Sequence, residues 1–323
     1  MCIRTSAEKS TVTTEAVKEP RAGATRAHAA FAGLVVLSVL AFWKVLHALV
    51  VFSLDHESSS HILLIPLLSI YLLYTEQPRI FQVVRSSAVG GGAVALTAMA
   101  LYVFVASHVS LRDPEQFLPG ATLAIVLLWF GGFLLCYGAE AWRRASFSLL
   151  FLLLMVPLPQ AVLERIIYLL QQGSTEIAYL LFKTVGVPVL RQGFILAVPS
   201  VTIEVAKECS GIRSSVALFI TCLLAAHLFL QTRWKMLAFV LLAFPVAILK
   251  NGIRITTLTL LSIYVDPGFL TGNLHHEGGF VFFFLALAIL FPALLFLQRS
   301  ERSTGKPSRL GPQETEHGFA SES

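Results

Sequence analysis

Charged side chains are scarce in this chain. Asp, Glu, Lys and Arg together make up only 13% of the 323 residues, whereas hydrophobic residues make up 56% and the mean hydropathy is +0.75. A soluble domain carries about a quarter charged residues, so the composition excludes an ordinary soluble protein. It predicts a polytopic membrane protein whose first partner is the lipid bilayer.

Cysteines are also few, and their spacing is not typical of a disulfide framework or a zinc site. The chain has four cysteines and no Cys-x-x-Cys pair; Cys136 and Cys222 fall within apolar runs and Cys2 in a polar tail. A metal site needs three or four ligands, which would have to come from His61, His275, His276 and Glu277. Because no His-Glu-x-x-His spacing supports such a site, we expect neither a metal nor another cofactor.

Long apolar runs fill the middle of the chain. They predict an all-α polytopic fold with about eight transmembrane helices. The runs are residues 29–54, 62–74, 88–107, 117–137, 146–158, 212–230, 236–265 and 280–297. Together they form one membrane domain, residues 29–297, between a polar N-terminal tail, residues 1–28, that we expect to be disordered and a basic C-terminal tail, residues 298–323.

Two stretches in the second half of the chain break this pattern. Residues 160–186 mix charged and amide side chains with Leu and Ile, which predicts an amphipathic helix at the membrane interface or packed against the bundle. Residues 187–207 contain Pro188, Gly193 and Pro199 among partly alternating β-branched residues, which predicts one or two short strands, or a hairpin. Lipid does not tolerate irregular backbone, so this strand-like segment must lie outside the hydrocarbon or be shielded by protein.

Basic residues predict the orientation in the membrane. In a chain this apolar, the net charge of +5 and the pI of about 9.1 indicate basic cytoplasmic loops rather than a nucleic-acid partner. With the N-terminal tail in the cytoplasm, eight alternating spans bring every basic loop and the C-terminal tail to the cytoplasmic side. The same alternation brings to the extracytoplasmic side residues 55–61, the strand-like segment with Cys209, and the connection that holds His275 and His276. Arg254 then lies in the outer half of the seventh span.

Cys209 lies between the strand-like segment and the sixth apolar run. Glu208 precedes it, Ser210 and Gly211 follow it, and Arg213 comes four residues later. Amides at a helix N-terminus and a neighbouring guanidinium both favour a thiolate over a thiol. The pattern therefore predicts a reactive cysteine at a membrane surface. The alternative is an inert cysteine that behaves as a small hydrophobic side chain.

Asn251 and Arg254 lie within the seventh apolar run. A guanidinium in a bilayer is costly, so such an arginine usually faces the bundle interior, a partner or a cavity. Its chemistry suits stabilising an oxyanion or binding a substrate carboxylate. The structural alternative is an ion pair with Glu204 or Glu208.

Two further polar segments complete the set of candidate residues. His275 and His276 precede the last span, and because neighbouring side chains point in different directions, we expect only one of them to face a site. An imidazole beside a thiol serves as the base or ion-pair partner of a cysteine nucleophile; the alternative is a solvated loop histidine. Asp55 and His61, in the polar loop before the second span, suit a structural cap or substrate binding better than catalysis.

In their order along the chain, these motifs resemble those of the exosortase/archaeosortase family. The resemblance covers about residues 30–297, although Gly279-Phe280 departs from the more usual Gly-Trp pair. The motifs that carry it are Glu208-Cys-Ser-Gly-Ile212, Asn251-x-x-Arg254, His275-x-x-x-Gly279, the first-loop segment Ser60 to Pro66, and the central pairs Pro157-Leu-Pro159 and Gly186-Val-Pro188.

The resemblance implies an integral membrane cysteine peptidase that cleaves the C-terminal sorting tails of exported proteins. Transpeptidase chemistry is typical of the family. Such a tail carries a short motif, a transmembrane helix and a basic cluster. By this resemblance Cys209 is the nucleophile, Arg254 the substrate or oxyanion stabiliser and His275 the acid/base, with His276 as the alternative to His275. Support or substrate binding falls to Asn251, Glu208, Arg213, His61 and Asp55. The site would face the extracytoplasmic side of the inner membrane.

Two other function classes fit an apolar bundle with a buried arginine. In a transporter or polysaccharide-export component, Arg254 would line a path and Cys209 would be incidental. Transporters often pair interrupted helices in two repeats, and the first half of this chain has no interrupted span to match the one at Asn251. A structural scaffold is the third class, and it predicts that substitutions at Cys209, Arg254 and His275 are tolerated.

Overall fold

Helices dominate the fold. A computed structural model describes residues 21–82, 84–199, 201–207, 211–270 and 279–302. The α-helices in these ranges are α1 (Arg21–Ala41), α2 (Trp43–Asp55), α3 (Leu64–Ile80), α4 (Ala88–His108), α5 (Pro114–Arg144), α6 (Ser146–Phe151), α7 (Gln160–Thr184), α8 (Ile212–Phe229), α9 (Arg233–Tyr264) and α10 (Gly279–Arg302). The strands are β1 (Leu190–Gln192), β2 (Ile195–Val198) and β3 (Val201–Glu204), and short 3-10 helices cover Glu57–Ser59, Leu152–Met155 and Pro267–Leu270.

Within the described ranges, six helices are long and apolar enough to cross a membrane: α1, α4, α5, α8, α9 and α10. A seventh span arises if Ser146–Met155 and α7, which meet at an angle of 91°, count as one broken span. The all-α polytopic fold is thereby confirmed. α3 accounts for the difference from the eight predicted spans, because its 17 residues give a length of about 26 Å, near the lower limit for crossing the hydrocarbon.

The first predicted span is two helices rather than one. α1 and α2 are separated at Phe42, whose backbone leaves the helical region (φ −102°, ψ 21°). The ring of Phe42 packs edge-on against Tyr102 of α4, with the ring centroids 4.7 Å apart. This contact packs the break between α1 and α2 against α4.

The strand-like segment forms a small antiparallel sheet in the order β1-β2-β3. Leu196 of the central strand lies opposite Ile203 of β3. Leu196 and Val198 are buried in a cluster with Phe182 of α7 and Ile255 of α9. The sheet therefore rests on α7 and α9, so protein shields part of its backbone, as the sequence requires of irregular structure near lipid.

α7 packs along α9 at a close helix contact, which decides between the two placements that the sequence left open for it. A Cβ atom added at Gly252 of α9 would lie 2.4 Å from Cγ2 of Ile177 of α7, and one added at Gly173 of α7 would lie 2.8 Å from Cδ1 of Ile248 of α9. Each glycine admits an isoleucine from the facing helix. The amphipathic helix is thus part of the bundle.

α9 runs antiparallel to both α8 and α10. Glu301, near the end of α10, accepts hydrogen bonds from the backbone N–H groups of Gln231 (2.9 Å) and Thr232 (2.8 Å), which join α8 to α9. The end of α8, the start of α9 and the end of α10 therefore meet. It follows that α8 begins, α9 ends and α10 begins at the opposite end of the bundle.

Candidate active site

The residues that flank Cys209 in sequence form the described part of the candidate site. Glu208, Cys209, His275 and His276 lie outside the described residues. Cys209 belongs to the short segment between Val205 and Gly211, and the two histidines belong to the connection between α9 and α10. Both connections open at the same end of the bundle, because α8 and α10 begin where α9 ends.

The N-terminal side of the Cys209 segment is fixed to α7. The side-chain amide of Gln171 donates a hydrogen bond to the carbonyl oxygen of Val205 at 2.8 Å, and both residues are buried. The N–H of Val205 donates to the carbonyl of Phe194 at 3.0 Å, which extends the pairing of β2 and β3. Thr175 in turn donates to the backbone carbonyl of Gln171 at 2.7 Å. Val205 is therefore held between the sheet and α7.

The C-terminal side of the segment is fixed to α9. Gly211 adopts a left-handed conformation (φ +70°), and a Cβ atom added to it would lie 2.8 Å from Oδ1 of Asn251. Asn251 is only 1% exposed, and its Nδ2 donates to the hydroxyl of buried Ser174 on α7 at 3.0 Å. Position 211 requires glycine for two reasons: its backbone angle is left-handed, and Asn251 occupies the space that a Cβ atom would need.

The two attachments lie next to each other on α7. Gln171 and Ser174 are three residues apart, so their side chains share one face of the helix. Val205 and Gly211, which flank the five-residue stretch that contains Cys209, are therefore both attached at the contact of α7 with α9. Gln171 and Ser174 were not identified as site residues from the sequence, because they belong to the amphipathic pattern of α7. The feature that could have identified them is the polar triplet that they form with Thr175, three and four residues after Gln171.

One face of α9 carries the polar side chains near this contact. Lys250 and Arg254 are one helical turn apart and flank Asn251 in sequence, Lys250 being 1% exposed and Arg254 half-buried. The ammonium of Lys250 donates a hydrogen bond to the hydroxyl of Ser214 in the first turn of α8. Glu204, one of the two carboxylates considered as partners of Arg254, is exposed in β3 and forms none of the ion pairs found among the described residues.

Arg213 and Asp55 do not join the polar side chains at the α7–α9 contact. Both side chains are exposed, Arg213 in the first turn of α8 and Asp55 at the last residue of α2. Arg213 therefore lies on a different face of α8 from Ser214, which receives Lys250. The cation that hydrogen bonds connect to Gly211, through Ser214, is Lys250, a residue that the sequence marked only as an interruption of the apolar run.

His61 lines a cavity of about 390 Å³ beside the start of α8. Its walls come from the first polar loop, the bend between α6 and α7, the first turn of α8 and the middle of α9, with Ser215 and Ala247 among them. Burial lowers the pKa of the His61 imidazole below its ordinary value, although hydrogen bonds to the backbone of Leu154 and Ser58 oppose this effect. A neutral imidazole in a mostly apolar cavity suits binding rather than proton transfer.

A second recess opens next to Val205. This cleft, of about 720 Å³, lies between the first half of α7 and the chain that follows β3. Its lining includes both charges and aromatic rings: Glu164, Arg165, Tyr168, Phe194, Glu204 and Lys207. Residues 204–207, which line the cleft, immediately precede the residues that include Cys209 in the sequence, so the cleft borders the chain that leads to the candidate nucleophile.

The described part of the chain brings together no group of three or more His, Cys, Asp or Glu side chains that could hold a metal ion. Cys136 and Cys222, within α5 and α8, are free thiols. The polar groups that converge on the α7–α9 contact are amides, hydroxyls and two cations. These groups suit anchoring a peptide segment and stabilising negative charge.

A comparison with protein families agrees with the motifs. Residues 43–292 match the family model described as transmembrane exosortase (Exosortase_EpsH), and this range contains α2 to α9 and the first part of α10. No curated protein and no solved structure matches the chain. Because the matched range is well over half of the 323 residues, the chain belongs to the transmembrane exosortase family.

Proposed function

We propose that this protein is a membrane cysteine peptidase and transpeptidase that cleaves the C-terminal sorting signal of exported proteins on the extracytoplasmic face of the cell membrane. Membership of the transmembrane exosortase family supports a sorting or transpeptidase role in general. The proposal adds the substrate signal, a short motif followed by a transmembrane helix and a basic cluster, and the residues that act on it.

The observation that carries the proposal is the double attachment of the Cys209 segment. Gln171 holds Val205 on one side, and Asn251 meets Gly211 on the other. Arg254 lies one turn beyond Lys250 on the same helix as Asn251. A nucleophile loses less conformational entropy in reaching the transition state when its segment is fixed beforehand, and both ends of this segment are fixed.

The proposed reaction has two steps. The Cys209 thiolate attacks the scissile carbonyl carbon, Arg254 stabilises the oxyanion, and the carbon–nitrogen bond breaks as His275 gives its proton to the leaving amine. The product is a thioester between Cys209 and the new C-terminus of the exported protein. His275 then takes a proton from the acceptor nucleophile, which attacks the thioester carbonyl and releases the thiolate. His276 is the alternative acid/base.

The cleft beside Val205 supports this chemistry as the place for the recognition motif. It is open, holds charges of both signs, and borders residues 204–207, which immediately precede the proposed nucleophile. A transporter needs no such recess along the chain that precedes its cysteine. The cleft therefore favours a peptide substrate over the transport alternative.

The test is co-expression with an exported protein that carries a tripartite tail, followed by mass analysis of its mature C-terminus. Cys209→Ala and Cys209→Ser should abolish maturation while the protein still inserts into the membrane. Cys136→Ala is the matched control, because it removes a free thiol from α5 and should leave maturation intact. If the Cys209→Ala variant still matures the tail, the nucleophile assignment is wrong.

A further inference from the structure

Lys250 is a buried cation in a membrane-spanning helix. It is 1% exposed and ranks among the largest fully buried side chains of the described residues. A charged lysine at membrane depth is costly, and such residues usually mark a functional site or pair with an acid. Among the described residues no carboxylate lies within ion-pair distance of its ammonium. No salt bridge within the described ranges therefore explains its position.

The contacts of Lys250 lead to the Cys209 segment. Its ammonium donates to the hydroxyl of Ser214, and that hydroxyl donates to the carbonyl oxygen of Gly211 at 3.0 Å. Ser215 donates to the same carbonyl at 2.8 Å. A chain of two hydrogen bonds thus runs from the buried cation to the residue that ends the Cys209 segment, on the side where Gly211 faces Asn251.

Positive charge accumulates at this point of α9. Arg254 lies within electrostatic range of Lys250 on its own helix. The described side chains that face this point from neighbouring elements are polar but uncharged: Ser214 from α8, and Gln171, Ser174 and Thr175 from α7. Arg213 of α8 is exposed. The charged residues of α7 are exposed, and those of α10, Arg299, Glu301 and Arg302, lie in its last turn, at the far end of the bundle. Asp266 lies beyond the end of α9.

We propose that Lys250 is a positioning residue of the proposed cysteine peptidase: it holds Gly211 through Ser214, and its charge, together with that of Arg254, stabilises the thiolate of Cys209. The inference rests on the proposed function, since it needs Cys209 as the nucleophile. It explains why the cation lies where two helices meet the flank of the Cys209 segment. No acid–base step is assigned to Lys250 itself.

The test measures the rate at which iodoacetamide alkylates Cys209 as a function of pH. Full-length protein in detergent is used, with Cys2, Cys136 and Cys222 replaced by alanine. In Lys250→Met the midpoint of the profile should move to higher pH by about one unit, the lower end of what a nearby opposite charge produces. Processing of a tailed substrate at neutral pH should fall roughly tenfold, as a shift of that size implies. Lys250→Arg should keep the midpoint near that of the wild type.

Two variants separate this role from a structural one. Lys250→Met replaces a buried charge by an apolar side chain of similar length, so the melting temperature should hold or rise while processing falls; a structural lysine would show the opposite. Lys235→Met is the matched control, because Lys235 is also a buried lysine bonded to a serine, Ser300 (3.1 Å), at the other end of α9. It should leave the alkylation profile unchanged.

Each outcome bears on a different claim. An unshifted profile in Lys250→Met, with processing still dependent on Cys209, overturns the role of Lys250 and leaves the proposed function intact. Processing that survives Cys209→Ala overturns the proposed function itself. If Lys250→Met fails to accumulate, Lys250→Gln, which keeps a hydrogen-bond donor for Ser214 but no charge, provides the same comparison.

Discussion

At the scale of single residues, Gly211 is the position where backbone angle and packing demand the same side chain. Gly211→Ala should destabilise the protein, because a left-handed alanine costs roughly 1–2 kcal/mol and its Cβ would lie 2.8 Å from Oδ1 of Asn251. Since Gly211 ends the Cys209 segment, processing of a tailed substrate should fall as well. Thermal unfolding in detergent and substrate processing measure the two effects.

Gly186 supplies the control for that substitution. Its φ is +80°, but an added Cβ meets nothing within 4 Å, so Gly186→Ala carries the backbone strain without the clash. Gly211→Ala should therefore be the more damaging of the two. Asn251→Ala in the Gly211→Ala background should recover part of the stability. An equal loss of stability in the two glycine variants would show that a steric clash with Asn251 does not contribute at position 211.

His61 makes the stability of the first loop depend on pH. Its pKa is lowered in the folded protein, chiefly by burial, whereas an unfolded histidine titrates near 6.5. The unfolded state therefore binds the proton more readily, and the stability present above about pH 6.5 is lost as the pH falls through the folded pKa. The melting temperature of the wild type should drop between about pH 6.5 and pH 5, and His61→Gln should reduce that drop.

His56 is the neighbouring histidine for comparison. Its side chain is exposed at the end of α2, where its Nδ1 lies 3.1 Å from the carbonyl oxygen of Phe52. His56→Gln should leave the acid-induced drop as large as in the wild type. If both variants flatten the curve alike, the loop as a whole and not the buried His61 sets the pH dependence.

At the scale of elements, the contact of α7 with α9 positions both attachments of the Cys209 segment. Gly252→Ala would place a methyl group 2.4 Å from Cγ2 of Ile177, and overpacking of this kind costs about 1–3 kcal/mol. Separation of the helices should also weaken the bond of Asn251 to Ser174, so processing should fall together with the melting temperature. Ile177→Ala in the Gly252→Ala background should restore much of both.

Gly92 supplies the control for Gly252→Ala, because it lies in an open helix position. Gly92 of α4 has nothing within 4 Å of an added Cβ, so Gly92→Ala should be neutral or stabilising by up to about 1 kcal/mol, through helix propensity alone. A double-mutant cycle between Gly252 and Ile177 should show a coupling of at least about 0.5 kcal/mol. Additive effects would mean that α7 and α9 adjust to the extra methyl group elsewhere.

The elements were largely predictable from the sequence, whereas the contacts that organise the site were not. Apolar runs predict the long helices because burying backbone in lipid requires helix, and the β-branched segment before Cys209 predicts the sheet. The bonds of Gln171 to Val205 and of Asn251 to Ser174 join residues 34 and 77 positions apart. Periodicity within one helix carries no information about such pairs. The hydrogen bond of Lys250 to Ser214, which joins residues 36 positions apart, was missed for the same reason.

At the scale of the whole molecule, the protein is a bundle of long apolar helices with a preferred orientation in the membrane still to be assigned. The family match over residues 43–292 and the bundle of long apolar helices agree on a multi-pass membrane protein. The course of α9, antiparallel to both α8 and α10, brings the connections holding Cys209 and the two histidines to one end. The orientation of the protein therefore depends on which side of the membrane this end of the bundle, with the sheet, faces.

The distribution of basic residues predicts the answer. Thr202 in β3 and Arg143 near the end of α5 are both exposed, and positive-inside alternation places the first outside the cell and the second in the cytoplasm. In a cysteine-free background, Thr202→Cys should react with a membrane-impermeant maleimide in intact cells, whereas Arg143→Cys should react only after permeabilisation. The reverse pattern would place the cleft beside Val205 in the cytoplasm, where an exported substrate does not reach it, and the sorting proposal would fail with the orientation.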